Sequence, residues 1–441
     1  MKYKISILMA AAILIVCLPA GAVLQVDFQT AMELALKNNR GLKLLKVDSQ
    51  YADLQVKEAY SAAYPTINAI GSYSRSIIIP EMESDFEMNG ERMSFRMALG
   101  RENNFFGQIE LQQPLWIAGK IGLGVKIAKI YRQIADYGVD HGESDLKMLV
   151  TQAYYTALLA GEMHRLTVET EGQIANHLKN AEAMFAEGVV SEYDKLRAEV
   201  ELANFKPQVT AAEEGWKMAL EALRIVMGLN PEEEFELTGE LEEEIPGEVE
   251  IDAAVLRALQ NRVDYKQLAL RGKMLNHILE VEKRNQYWPN FFLSVGYQLQ
   301  AQEEDFDIDD YFWGEGLSAG IAVSIPLFDG FKTKNRIQMA KVNLKRQAII
   351  TSQVEEGIRM EVKTAVWQLE QAVEKLTASR QAVMQAEKGY AIAEVRYESG
   401  ISTQVELLDA RLAQTQAQIG ELSAKFDIIL AKAALERAMG R

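Results

Sequence analysis

The chain repeats itself, and a repeat of this size fixes most of what it can fold into. Phe185-Ala-Glu-Gly188-Val-Val-Ser191-Glu-Tyr193-Asp194-Lys-Leu196 returns as Tyr397-Glu-Ser-Gly400-Ile-Ser-Thr403-Gln-Val405-Glu406-Leu-Leu408, at an offset of 212 residues. The same 212 relates Gln113-Pro114-Leu115-Trp116 to Ile325-Pro326-Leu327-Phe328, and Ala153-Tyr154-Tyr155 to Ala365-Val366-Trp367. Upstream, Ala35-Leu36-Lys37-Asn38 pairs with Ala258-Leu259-Gln260-Asn261 at 223, and Tyr64-Pro65 with Trp288-Pro289 at 224. One unit is duplicated, over residues 23–228 and 251–441, with an acidic linker at 229–250. The offsets differ because Pro65 to Pro114 spans 49 residues and Pro289 to Pro326 only 37, so the first unit has the longer connecting loop.

Each unit reads as a helix, two alternating segments and two long helices. No proline falls between Pro114 and Pro207 or after Pro326, and interior prolines are what long helices cannot tolerate. From Ile358 through Val362, Ala365, Leu369, Ala372, Leu376, Ser379, Val383, Ala386, Tyr390 and Ala393 to Tyr397, apolar or small residues recur every three or four positions. Val405, Leu408, Leu412, Thr415, Ile419, Leu422, Phe426, Ile429 and Ala433 do the same in the last helix. These are coiled-coil seams, predicting left-handed supercoiling. The helix from about Lys332 to Ser399 is on the order of 100 Å long at 1.5 Å per residue. Between the paired helices, Gly188 and Gly400 suit the left-handed residue that ends one helix, and Ser191 and Thr403 suit the cap of the next. Asp194 and Glu406, three residues on, complete a capping-box pattern. Pro207 has Ile419 as its counterpart and predicts a kink or break in the first return helix.

Four segments alternate with the two-residue period of a membrane strand, at about 65–79, 104–115, 289–300 and 316–327. Each sets apolar residues such as Leu293, Val295 and Tyr297 against small or polar ones such as Ser294, Gly296 and Gln298. A soluble sheet with one wet face is the competing reading of any single segment. In lipid, an open four-stranded sheet leaves backbone edges unpaired at a cost of several kcal/mol per group, so closure requires other chains. Three chains supply about twelve strands, enough for an open pore. The connections Pro80 to Asn104 and Ala301 to Gly316 are polar and are expected to be external loops; the second carries Glu303, Glu304, Asp305, Asp307, Asp309, Asp310 and Glu315.

Lys2 and Lys4 ahead of the apolar run Ile5 to Leu18, followed by Ala20-Gly21-Ala22, predict a signal peptide over residues 1–22 and a mature start at Val23. Cys17, the only cysteine, leaves with it, and bulky Val16 before it argues against a lipoprotein. No later stretch approaches the roughly 20 apolar residues of a spanning helix, so any membrane crossing uses strands. A formal charge of −16 excludes a nucleic-acid binder. His141, His164, His177 and His277 have no metal-ligand spacing, and Gly119-Lys120-Ile121-Gly122 lacks the hydroxyl residue of a phosphate loop. The latter reads as a strand-to-helix transition. No catalytic constellation, cofactor site or metal site is expected.

Taken in order, several motifs make the mature chain resemble the TolC-type outer-membrane efflux proteins. They are Asp27-Phe28 with Ala31, Leu34, Ala35, Asn38 and Asn39; Tyr64-Pro65 and Trp288-Pro289; Ile325-Pro326-Leu327-Phe328-Asp329-Gly330; Asn261-Arg262 with Asp264; and the turns around Gly188 and Gly400. The first unit departs from the pattern, with Trp116-Ile117-Ala118-Gly119-Lys120 where a Phe-Asp-Gly-type turn is usual. The resemblance implies a mixed α and β, mainly α fold, in which long-helix hairpins form an α-helical barrel and four strands contribute to a trimeric transmembrane β-barrel. It further implies a homotrimer in outer-membrane lipid, coupled to an inner-membrane pump through a periplasmic adaptor (membrane fusion) protein. Asp194, Tyr397, Glu406 and Asp409 match the family's periplasmic gate. In a trimer each acid becomes a carboxylate ring, attracting cations and repelling anions. Tyr397 is positioned to donate to Asp194 and hold the end shut, whereas Ser402, where relatives can carry a basic residue, implies fewer charged latch contacts. Asp194 and Glu406 also fit as plain helix caps. Gly188, Val189, Val190, Ser191, Gly400, Ile401 and Thr403 form the ends where the adaptor is expected to dock. A small-molecule exit duct, a duct for secreted polypeptides and a periplasmic coiled-coil scaffold all remain open at this stage.

Overall fold

The structure, a computed structural model, describes residues 24–88, 91–241, 245, 247–306 and 311–440. The expected signal peptide and loop residues Asp307, Asp309 and Asp310 lie outside the described residues, as does part of the acidic run. Both halves carry helices of matching length. α1 (Phe28–Asn38) and α2 (Arg40–Ser61) have 11 and 22 residues, as do their counterparts in the second half. α3 (Lys120–Ala186) has 67 residues and α4 (Glu192–Met227) 36. The second half follows with α5 (Ile251–Asn261), α6 (Val263–Arg284), α7 (Lys332–Glu398), again 67 residues, and α8 (Gln404–Ala438), of 35. Each half thus opens with two helices where the sequence suggested one. Asn39 (ψ 127°) and Arg262 (ψ 125°) leave the helical region at equivalent points, although their amides still bond Ala35 and Ala258.

Four strands build the main sheet, β2 (Thr66–Arg75), β5 (Asn103–Ile117), β7 (Asn290–Glu303) and β8 (Gly314–Ser324), antiparallel in the order β2-β5-β7-β8. Register turns the alternation of each strand into continuous faces. Ile67, Leu111, Val295 and Ala319 align across the sheet, next to Ala69, Ile109, Tyr297 and Leu317. On the other face Asn68, Glu110, Gly296 and Ser318 align beside Thr66, Gln112, Ser294 and Gly320. All ten residues of β2 are exposed, and among the described residues neither β2 nor β8 has a partner on its outer edge.

The segment expected to be a polar loop, Pro80 to Asn104, instead holds a hairpin of β3 (Glu81–Met88) and β4 (Glu91–Ala98), which accounts for the first half's extra length. Its alternation is readable in register: Met82 opposes Met97, while Glu83 opposes Arg96 and pairs with it at 3.4 Å. The linker also gains structure, because β6 (Phe235–Leu237) pairs in parallel with β1 (Leu24–Val26). Strand and long helix meet through two successive left-handed residues in each half, Ala118 and Gly119 (φ 55° and 66°) and Gly330 and Phe331 (φ 68° and 65°). The departing motif of the first half therefore makes the same turn, with glycine second instead of first.

Two compact units emerge, and neither is a sequence repeat, since the long helices contribute to both. One contains the chain up to Arg40 with residues 145–249 and 364–437, the other residues 41–144, 250–363 and 438–441. In the first, Val26, Ala31, Ala35, Val150, Tyr154, Leu223 and Met227 are almost fully buried. Tyr154 donates to the Thr238 carbonyl at 2.9 Å, and burial pushes its phenol up to about 12. Gly228 (φ 69°) ends α4 against the backbone of Asn38, 2.7 Å from where a Cβ would reach. In the second unit Arg262 forks onto Asp264 at 2.8 Å and reaches Glu361 of α7 at 2.6 Å. Pro207 does not break α4, which runs through it.

Candidate functional site at the hairpin ends

The α3–α4 turn is built as its residues predict. Gly188 sits at φ 75°, where any side chain strains the backbone, and the amides of Gly188 and Val189 cap the carbonyls of Phe185 and Met184. Ser191 Oγ accepts from the Asp194 amide at 3.2 Å, and the Asp194 carboxylate accepts from the Ser191 amide at 3.2 Å and its hydroxyl at 2.6 Å. Asp194 is thus fully engaged in a capping box.

At the α7–α8 turn the backbone is the same and the side chains differ. Gly400 takes φ 69°, and Ile401 and Ser402 both donate to the Arg396 carbonyl. Thr403 Oγ1 accepts from the Glu406 amide at 3.4 Å, but the Glu406 carboxylate does not close the box. It accepts from Ser402 Oγ at 2.6 Å and faces Arg396 at 3.9 Å. Ser402 supplies a hydroxyl contact to Glu406, and the charge beside that carboxylate is Arg396 of the same hairpin. Asp409, one turn further on, is exposed and makes no ion pair or hydrogen bond among the described residues. Val189 and Ile401 are 64% and 71% exposed, Val190 is half-buried, and Thr403 is exposed.

The expected bond from Tyr397 to Asp194 is not made. Tyr397 Oη is buried without a hydrogen-bond partner, and its phenol is pushed up, first by burial and then by the Asp194 charge. Its ring instead packs 5.4 Å from His177. That contact opens onto a buried polar cluster that hydrophobic periodicity could not find. His177 of α3 and Gln404 of α8 are 6% and 5% exposed and meet at 3.1 Å. Burial, with Arg411 nearby, pulls the His177 imidazole down to about 4. Arg411 of α8, 5% exposed, donates to Tyr390 Oη at 3.2 Å, lies over that ring, and stands 4.0 Å from Glu201 of α4.

These burials correct the predicted seam of α8. In α7 the predicted residues Ile358, Val362, Ala365, Leu369, Ala372 and Leu376 are the buried stripe. In α8 the buried stripe is Gln404, Leu407, Arg411, Ala424, Ile428, Ala431 and Leu435, while the predicted Val405 and Leu412 are 41% and 57% exposed. Polar residues in the buried face hid it, and of the apolar face that periodicity selected Val405 and Leu412 are exposed and the rest half-buried. Among the described residues no cluster of His, Cys, Asp and Glu could hold a metal ion, and no helix is long and apolar enough to cross a membrane.

A family model described as outer membrane efflux protein matches residues 31–229 and 255–441. The chain is 21% identical over 380 residues to the cobalt-zinc-cadmium resistance protein CzcC of Cupriavidus metallidurans, an alignment covering 84% of each protein. Among solved structures, the Campylobacter jejuni CmeC outer membrane channel is similar with a TM-score of 0.74 and 19% identity, over 94% of this chain and 85% of that one. The outer membrane protein VceC of Vibrio cholerae is similar with a TM-score of 0.72 and 16% identity, over 94% and 96%. The fold is that of the TolC-like outer membrane channels.

Proposed function

Because the chain belongs to the outer membrane efflux protein family, and is a transport protein with no enzymatic role, we propose that it is the passive exit duct of a tripartite efflux system. In this reading three copies assemble in the outer membrane, a periplasmic adaptor docks on the hairpin ends, and an inner-membrane pump supplies the energy.

The observation that carries the reading is the sheet. It has one apolar face and one polar face across all four strands and two unpaired edges. Such a sheet is stable in lipid only when its edges are joined, and β8 of one copy against β2 of the next closes twelve strands around a polar lumen. Val405 and Leu412, exposed on α8, supply the matching helical contact between copies. Val189 and Ile401, too exposed for a solvated turn without a partner, suit the adaptor, together with Gly188, Val190, Ser191, Gly400 and Thr403 around them. Asp194, Tyr397, Glu406 and Asp409 are the proposed gate. Of these Asp409 has its carboxylate free and Glu406 is held only at the surface, so threefold repetition makes an acidic constriction that favours cations over anions. The name of the cobalt-zinc-cadmium resistance relative fits a small cationic cargo.

Single-channel conductance of the purified protein in planar bilayers tests the reading. Wild type is expected to pass small, cation-selective currents that grow in the Glu406→Ala, Asp409→Ala double variant. Silence from a confirmed membrane trimer would overturn the duct, and unchanged currents in the variant would remove the gate assignment. Separately, Val189→Glu with Ile401→Glu is expected to abolish efflux in cells while trimers still assemble; continued efflux would move the adaptor contact elsewhere.

A further inference from the structure

Seven buried side-chain atoms among the described residues have no protein hydrogen-bond partner, and five of them fall in one place. They are Glu201 Oε2, Tyr397 Oη, Gln404 Oε1, and Nε and Nη1 of Arg411. Orphaned polar atoms are scarce in folded proteins, because each loses its hydration on burial without gaining a partner. Their concentration where α3, α4, α7 and α8 meet therefore calls for a physical account.

Arg411 is the centre. One arm of its guanidinium is used, on Tyr390, and the arm facing Glu201 stops at 4.0 Å, beyond hydrogen-bond reach. Guanidinium and carboxylate normally close to about 2.8 Å, often with two parallel bonds. A displacement of α8 toward α4 by about 1 Å would bring the pair to that distance. A cavity of about 420 Å³ beside the cluster, lined by His177, Tyr390, Tyr397, Leu407 and Arg411, leaves these side chains room to rearrange. Burial meanwhile raises the Glu201 carboxyl while Arg411 and Arg197 lower it, as for a charge only partly compensated in its present position. Because Glu406 and Asp409 lie on the same helix as Arg411, within its first turns, any shift of α8 carries both carboxylates with it.

We propose that Arg411 and Glu201 are positioning residues for the duct: their direct pairing stabilises a second arrangement of α8, the open one, which the present arrangement leaves incomplete. The inference rests on the duct reading above. It differs from a latch at the ends, because the pair acts within one protomer, away from the turn, and favours opening instead of closure.

The test compares open probability in planar bilayers with thermal unfolding for wild type, Arg411→Met, Glu201→Met, the double variant and Arg411→Lys. Each single variant leaves a buried charge without its partner and is expected to melt lower. The double variant, with two apolar residues of similar size, is expected to regain the wild-type melting temperature yet open about tenfold less often, the factor corresponding to one charge-assisted hydrogen bond. Arg411→Lys, which keeps the charge without the fork, is expected to open at an intermediate frequency. Wild-type opening in the double variant would overturn the proposal while leaving the duct intact, since the cluster would then be structural only. Silence from wild type would overturn the duct and this inference with it.

Discussion

The two halves of the chain share a backbone and divide their polar chemistry unequally. The turn residues are matched: left-handed glycines at Gly188 and Gly400, and left-handed pairs at Ala118-Gly119 and Gly330-Phe331. At the helix junctions the same main-chain break is served by Asn39, whose side-chain amide donates to the Val226 carbonyl at 3.0 Å, and by Arg262, which holds Asp264 and Glu361. At the turns Asp194 is consumed by its own cap, whereas Glu406 is left to Ser402 and Arg396. In the cluster, Gln404, Arg411 and His177 stand where the other half has Glu192, Glu199 and Gly389. Main-chain sterics admit few residues at a left-handed turn, so duplication preserves them. Side chains facing a groove are not so limited, and there the halves have diverged.

The largest break in that comparison should come at the junctions. Arg262 is 13% exposed as a side chain and its pairs are partly buried, so Arg262→Ala is expected to cost about 3–5 kcal/mol by stranding Asp264. Asn39→Ala should cost less, about 1 kcal/mol for the bond to Val226. Unfolding of the solubilised protein measures both, and equal losses would show that the two junctions are not differently held.

Next is pH. The imidazole of His177 is held at about 4, below its ordinary 6.5, so folding favours the neutral ring. That stability is complete above pH 6.5 and is lost as pH falls from 6.5 toward 4, by about 3 kcal/mol in all. Glu201 of α4, 4.0 Å from Arg411, is shifted upward and works in the opposite sense, losing stability as pH rises through its raised value. The difference between wild type and His177→Gln isolates the histidine. A melting temperature that falls equally in both from pH 7 to pH 5 would place the ring in solvent.

Glycines sharpen the comparison further. Gly228 and Gly400 both sit at φ 69°, but a Cβ at Gly228 meets the Asn38 carbonyl at 2.7 Å while at Gly400 it meets nothing within 4 Å. Alanine should cost about 1 kcal/mol at Gly400, the price of a left-handed side chain alone, and about 2–3 kcal/mol at Gly228. Thermal melts of the two variants separate backbone strain from steric contact.

Much of this was legible in the sequence for a definite reason. Long helices, strand faces and turn glycines follow from periodicity and main-chain sterics, and the repeat tested each assignment twice. The predicted seam of α7 is buried from Ile358 to Leu376 and half-buried from Ser379 to Tyr397. What the sequence hid depends on side chains meeting across elements. Gln404 and Arg411 in a buried stripe look like solvent-facing residues until α3, α4 and α7 are placed around them, and that is why the α8 seam was assigned to the neighbouring face. The β3–β4 hairpin looks like a loop in sequence because its charged face, Glu81, Glu83, Asp85 and Glu87, dominates the composition. The signal available in the sequence was asymmetry: within a faithful repeat, a histidine opposite Gly389 and an arginine opposite Glu199 mark positions under a different constraint.

The smallest effect on stability carries the sharpest functional contrast. Asp194→Ala removes a closed capping box and should lower stability by about 1 kcal/mol. Glu406→Ala removes an exposed carboxylate with one hydroxyl and one distant arginine, a loss of a few tenths of a kcal/mol at most. In bilayers the order should reverse, because the Asp194 carboxylate is turned into its own cap while that of Glu406 lies exposed, available to the lumen of the proposed trimer. Glu406→Ala should therefore raise conductance and weaken cation selectivity more than Asp194→Ala does. If the variant that melts lower is also the one that conducts more, both carboxylates act through the integrity of the turns, and the division of labour between the two halves does not extend to the gate.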